Sequence, residues 1–254
     1  MTTQQPNIQK YESKVVRDEV VKQMEAMQTS KFVQLPENYK ESAFFAIEKL
    51  ANIQDIDKVP AIGITKALIS MFSNRLDYRK NHCYFFVQND KTTGKSLRFG
   101  WQYQGLIHVA KETCNVREVT PVLVYESDEF STRYELGALV IEKHIPTFEG
   151  EIKGGYCVIS FKDHGGHVVK YFTKKELDKR RDKSMAKNGQ FWNWEREMYE
   201  KTIINASLKR LVDTSGEVDD EILYNEPEDS RGVIDAVVIQ QPEPASNEHE
   251  KFLI

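Results

Sequence analysis

No stretch of this 254-residue chain stays apolar long enough to cross a bilayer, and its start, MTTQQPNIQK, lacks the basic-then-apolar layout of a secretion signal. A cytoplasmic protein with no membrane partner is expected. Cysteine is scarce. Cys83, Cys114 and Cys157 are odd in number and far apart, which excludes a disulfide framework and a CxxC metal knuckle and leaves buried, reduced thiols. No glycine-rich phosphate loop joins a strand to a helix, so nucleotide hydrolysis is disfavoured. His164 and His167 flank a Gly-Gly turn with no cysteine or carboxylate at ligand spacing, so they read as turn residues rather than a zinc site. No bound cofactor or metal is expected.

What the chain does contain is ordinary globular material, 40% hydrophobic and 29% charged, enough for one folded domain with tails. The net charge of −4 conceals an asymmetry. From Asp213 onward there are 12 acidic and 2 basic residues, against 27 acidic and 33 basic in positions 1–212. A basic body beside an acidic tail points to a polyanion ligand for the body. The tail then competes for that site, recruits a partner or only aids solubility.

Three segments repeat apolar residues at three-to-four spacing and are expected to be helices: SKVVRDEVVKQMEAM, ENYKESAFFAIEKLANI and AIGITKALISMFSNRL. From Cys83 the period changes. CYFFVQ and SLRFGW flank a turn-rich NDKTTGK and read as a hairpin, and YQGLIHVAKETC returns to helical spacing. REVTPVLVYE, FSTRYEL and ALVIEKHI read as strands, and GGYCVISF pairs with HVVKYF across KDHGG. Thr173 and Glu176 have capping-box spacing ahead of the helix KKELDKRRDK. Beyond Asp213 the apolar residues are too sparse for a core, and disorder is expected. The order of elements argues for an α+β fold, a hairpin and a short antiparallel sheet packed on helices.

The last helical segment, FWNWEREMYEKTIINASLKRL, is apolar on two sides. Trp194, Met198, Ile204, Leu208, Leu211 and Val212 share one face, and Trp192, Tyr199, Ile203 and Ala206 lie almost opposite, so this helix is expected between the sheet and other helices or a neighbouring subunit. Lys201 and Asn205 project from the first face, where an ammonium needs an anion: Glu197, four residues earlier, or a phosphate. Between Lys170 and Arg210, 12 basic residues stand against 6 acidic, interleaved with Tyr171, Phe172, Phe191, Trp192, Trp194 and Tyr199. Cations neutralise phosphates and aromatic faces stack on unpaired bases, a combination suited to single-stranded nucleic acid.

LRFGWQYQGLIHVAKETCNVREVTPVLVYESDEF, GGYCVISFKDHGGHVVKYFTKKELDKRR and WNWEREMYEKTIINASLKRL together resemble the signatures of the RecT family of phage single-strand annealing proteins, over positions 55 to 212. The resemblance implies an ATP-independent recombinase, encoded by a phage or prophage. Such a protein coats single-stranded DNA as an oligomeric ring or helical filament and anneals a complementary strand. It implies as partners a phage exonuclease and the host single-strand binding protein, with Mg2+ only as an aid to annealing. Residues 55–212 would be the DNA-binding and annealing core, 1–54 a helical region making subunit contacts, and 213–254 the acidic tail. Tyr103 and Gly105 match the first motif, and Met198, Lys201, Thr202 and Arg210 the second. Arg98 and Lys111 flank the first motif; Lys174, Arg181 and Lys187 lie in the basic connection, and Trp192, Asn205 and Lys209 accompany the second motif. These residues, Met198 apart, are the expected DNA contacts. NHCYFFVQND departs from the family pattern at His82 and Gln88, so no contact is carried over to positions 76–90.

Two rivals remain. Glu151-Ile152-Lys153, flanked by Gly150 and Gly154-Gly155 in what reads as a turn into a strand, has the Glu-x-Lys form of metal-dependent nucleases, with Asp128 as an upstream carboxylate. A passive single-strand binding protein would carry the same charges and aromatics without annealing.

Overall fold

In the computed structural model the described residues are 13–31, 35–90, 94–135, 138–163, 165–183 and 194–213. Three helices come first: α1 (Ser13–Thr29), α2 (Tyr39–Leu50) and α3 (Ala61–Ser73). Each buries a three-to-four-spaced stripe, with Val20 and Met24 on α1, Ala43, Ile47 and Leu50 on α2, and Ile64, Leu68 and Met71 on α3. Pro60 caps α3 at φ −66° and ψ 150°, extended backbone suited to a residue with no N–H to lose.

Strands β1 (Cys83–Asp90) and β2 (Gly94–Trp101) form an antiparallel hairpin paired from Cys83↔Trp101 to Asp90↔Gly94. Its inner face carries Cys83, Phe85, Leu97 and Phe99, all buried, and packs on the α3 side. Helix α4 (Tyr103–Thr113) follows, then β3 (Val116–Tyr125), β4 (Glu129–Glu135), β5 (Ala138–Ile145), β6 (Ile152–Phe161) and β7 (His167–Thr173). Helices α5 (Lys174–Lys183) and α6 (Glu195–Asp213) follow. The capping box at α5 forms as its spacing requires. Glu176 Oε2 accepts the Thr173 N–H at 2.8 Å, and the Glu176 N–H donates to Thr173 Oγ1 at 3.3 Å.

Among the described residues the architecture is α+β with three small antiparallel sheets: β1–β2, a central sheet ordered β3-β6-β7, and a separate β4–β5 ribbon. Pro121 lies in β3, an edge strand, where its missing donor costs no ladder bond. Gly154 and Gly155, which open the expected strand GGYCVISF, are buried inside β6, which begins two residues earlier at Ile152. A Cβ on Gly155 would lie 2.5 Å from Ile203 Cδ1 and 2.8 Å from the Val122 carbonyl, so the glycine lets α6 press onto the sheet.

α6 begins at Glu195, which leaves Trp194 outside the helix and 64% exposed rather than on an apolar face. Its buried side is Tyr199, Ile203, Ile204, Leu208 and Val212, packed against β3 and β6 on one flank and α4 and α5 on another. Each fully buried aliphatic side chain contributes about 1.5–3 kcal/mol. The exposed Arg196–Glu200 pair adds at most about 0.5 kcal/mol, so packing places this helix. One apolar cluster runs from Val20 to Val212, joining the first three helices to the rest. Among the described residues no helix is long and apolar enough to cross a membrane.

Candidate nucleic-acid interface

Helices α4 and α6 lie side by side and run in the same direction. At one end the Lys201 ammonium sits 5.9 Å from the centre of the Tyr103 ring; at the other the Cys114 thiol donates to the Leu211 carbonyl at 3.6 Å. The two sequence motifs therefore meet in space. Tyr103 opens α4, and its position is set by the preceding Gln102, whose amide N–H donates to the His82 carbonyl at 3.0 Å.

Lys201 forms no ion pair with Glu197 or any other carboxylate among the described residues. An ammonium has three donors, and a ring face offers it about 0.5–1 kcal/mol at an exposed site. The capacity to bind an anion is left over. Asn205, exposed, and Lys209, half-buried, continue the Lys201 stripe toward the helix C-terminus. Lys111 and Lys209 stand eight residues beyond Tyr103 and Lys201 respectively, roughly 12 Å further along their two helices.

Several expected contacts are already engaged. Gly105 is buried, and a Cβ there would lie 2.2 Å from the His82 carbonyl oxygen, so this glycine permits close packing of α4 on that carbonyl. Thr202 Oγ1 donates to the Met198 carbonyl at 2.8 Å. Lys174 lies 3.9 Å from both Asp178 and Glu195, with its ammonium 5.4 Å from the centre of the Tyr199 ring. Arg181 also hydrogen-bonds Tyr199, whose hydroxyl donates to Asp178. Burial and then the bond to Asp178 push that hydroxyl well above the ordinary tyrosine range. Lys174 and Arg181 thus fasten α5 to α6. Arg210 is exposed but projects about half a turn away from Lys201. Lys187 and Trp192 lie outside the described residues, as does the acidic segment after Asp213.

Arg98 stands on the outer face of the β1–β2 hairpin, opposite Phe86. There it joins two aromatic residues that the sequence reading passed over. Tyr84 is 46% exposed and lies across Gly100, where a Cβ would fall 2.3 Å from the tyrosine Cζ. The Tyr84 and Phe86 ring centres are 6.0 Å apart, their planes inclined by 33°. The available signal was the strand reading of CYFFVQ, since successive side chains of a strand point to opposite faces and so put Tyr84 and Phe86 away from Cys83 and Phe85.

The nuclease constellation does not assemble. The Asp128 side chain is fully buried. Its Oδ1 accepts the N–H and hydroxyl of Thr147 at 2.7 and 3.0 Å, while Oδ2 accepts the Tyr125 N–H at 2.8 Å and faces His144 Nε2 at 3.0 Å. Burial raises its pKa, yet the bonds from His144, Tyr125 and Thr147 outweigh that and hold the carboxyl well below the usual carboxylate range. Lys153 donates to the Glu126 carbonyl at 3.2 Å. Glu151 is exposed, and among the described residues no three His, Cys, Asp or Glu side chains are grouped to hold a metal ion.

A family model described as the RecT family matches residues 37–236. The chain is also similar to Protein RecT of Escherichia coli (strain K12), with 28% identity over 170 residues. That alignment covers 62% of this chain and 62% of the relative.

Proposed function

Starting from a chain that belongs to the RecT family, we propose that it binds single-stranded DNA without ATP and anneals complementary strands during phage recombination. It acts as a homo-oligomeric ring or filament beside an exonuclease that supplies single strands and the host protein that coats them. The family implies these partners, with Mg2+ as an aid to pairing. The observation that carries the reading is Lys201, an ammonium set against Tyr103 at the meeting of two motifs with no carboxylate partner among the described residues. Annealing needs backbones held and base edges left free, so affinity comes from charge and stacking rather than from base readout. Neutralising about six phosphates per subunit gives a log-log salt slope of roughly −4 for single strands.

The test mixes complementary oligonucleotides and follows duplex formation by fluorescence quenching. Wild-type protein is expected to accelerate pairing without nucleotide. Lys201→Gln is expected to slow pairing about tenfold and make the salt slope shallower by roughly 0.7, one phosphate contact. Undiminished pairing by folded Lys201→Gln protein rules out this role for the lysine. Pairing slower with wild-type protein than without it identifies a passive coat instead.

A further inference from the structure

Beside Arg98, already an expected DNA contact, the outer face of the β1–β2 hairpin carries aromatic residues that no motif assigned. Tyr84, Phe86 and Gln88 alternate along β1 opposite Gly100, Arg98 and Ser96 on β2. The inner residues fill the core, so this face owes its composition to something else. Tyr84 lies over a strand position with no side chain, which leaves room for its ring on this face, where the residue is 46% exposed. Phe86 continues the strip at 6.0 Å, and Arg98 stands directly across from it. Among the outer-face residues Tyr84, Phe86, Gln88, Ser96, Arg98 and Gly100 of the two strands, none is a carboxylate. The contrast with Phe148 is instructive. That ring is 63% exposed, but Glu126, Glu149 and Glu151 stand in the same pair of turns and would repel a phosphate chain.

Resting on the single-stranded DNA reading above, we propose that this face is a stacking platform for unpaired nucleobases, with Tyr84 and Phe86 taking base planes and Arg98 the adjoining phosphate. Flat aromatic surfaces beside a guanidinium accept any base, since every base has a π-face. The Lys201 seam then holds backbone, and the hairpin holds bases.

Fluorescence anisotropy with oligo-dT and with an abasic strand of equal length separates the two contributions. Wild-type protein is expected to bind oligo-dT more tightly than the abasic strand. Tyr84→Leu is expected to lose about tenfold in affinity for oligo-dT, the order of one stacked base, and to bind the abasic strand unchanged. Gly100→Ala should reproduce that pattern with every aromatic atom kept, because its methyl group displaces the Tyr84 ring. Both substitutions lie on the outer face, and circular dichroism checks that each variant is folded. Equal weakening on both strands, or none on either, overturns the platform. Unchanged oligo-dT affinity with altered sedimentation overturns it too, and makes the face a protein contact. Equal wild-type affinity for the two strands defeats the platform and leaves DNA binding standing, whereas binding to neither strand defeats the parent reading as well.

Discussion

Gly105 separates two meanings that a motif residue can have. It lies two residues from Tyr103, yet it serves packing, because α4 comes so close to the His82 carbonyl that no side chain fits between them. Gly105→Ala would set a Cβ 2.2 Å from that backbone oxygen and 3.1 Å from Leu76 Cδ2, so α4 itself would have to move. The gain in helix propensity is at most about 1 kcal/mol, against about 1–3 kcal/mol for overpacking. A net loss of stability is expected, read as a lower urea midpoint. Lys201→Gln should leave that midpoint within about 0.5 kcal/mol, since Lys201 has no ion pair to lose among the described residues. A glycine in a motif looks the same in sequence whether a ligand or a carbonyl crowds it. Only the fold brings His82 to Gly105.

Among the elements, the β4–β5 ribbon depends on a knot at its base. Asp128, His144 and Tyr156 form a chain in which His144 Nδ1 lies 2.9 Å from the Tyr156 hydroxyl, and Phe130 stacks on Tyr171 with ring centres 5.4 Å apart. A two-stranded ribbon alone is marginal in water, so this anchoring decides its order. Asp128→Asn keeps the shape but turns one acceptor into a donor facing donors, a cost of about 1–3 kcal/mol at neutral pH. The sign with pH follows from the depressed Asp128 pKa. The carboxylate's contribution is complete above the ordinary aspartate range, near pH 4, and is lost as pH falls below it toward the folded pKa. Urea unfolding at pH 7 and pH 3 should find a large gap between wild type and Asp128→Asn at the first and a smaller one at the second. A gap independent of pH would show that the charge plays no part. The strands themselves were legible: the alternation in REVTPVLVYE, FSTRYEL and ALVIEKHI matches β3, β4 and β5 to within about a residue or two. Their division into two sheets was not, because it turns on Asp128 meeting His144 and Thr147, contacts 16 and 19 residues apart. The same distance effect turned Asp128 from a candidate metal ligand into a structural acceptor.

For the whole molecule the governing quantity is the uneven charge. The body to position 212 has 33 basic and 27 acidic residues, while positions 214–254 carry 11 acidic and 2 basic. That acidic segment follows directly from α6, the helix that bears Lys201 and Lys209. Covalent attachment keeps its local concentration high, and at about 0.1 M salt unscreened repulsion reaches only about 10 Å. If the segment competes with DNA for the basic seam, its removal should tighten binding at low salt, and the gain should vanish when salt screens both. Two truncations distinguish charge from mere length. Ending the chain at Asp213 removes a net 9 negative charges, whereas ending it after position 236 removes a net 2 and leaves the family-matched region whole. The shorter protein is expected to bind oligo-dT several-fold more tightly than full-length protein near 50 mM salt and equally near 0.5 M, with the 236-residue protein close to full length at both. Equal affinities for all three at low salt would assign the acidic segment another task, such as recruiting a partner, and would leave the Lys201 seam to be judged by oligonucleotide pairing alone.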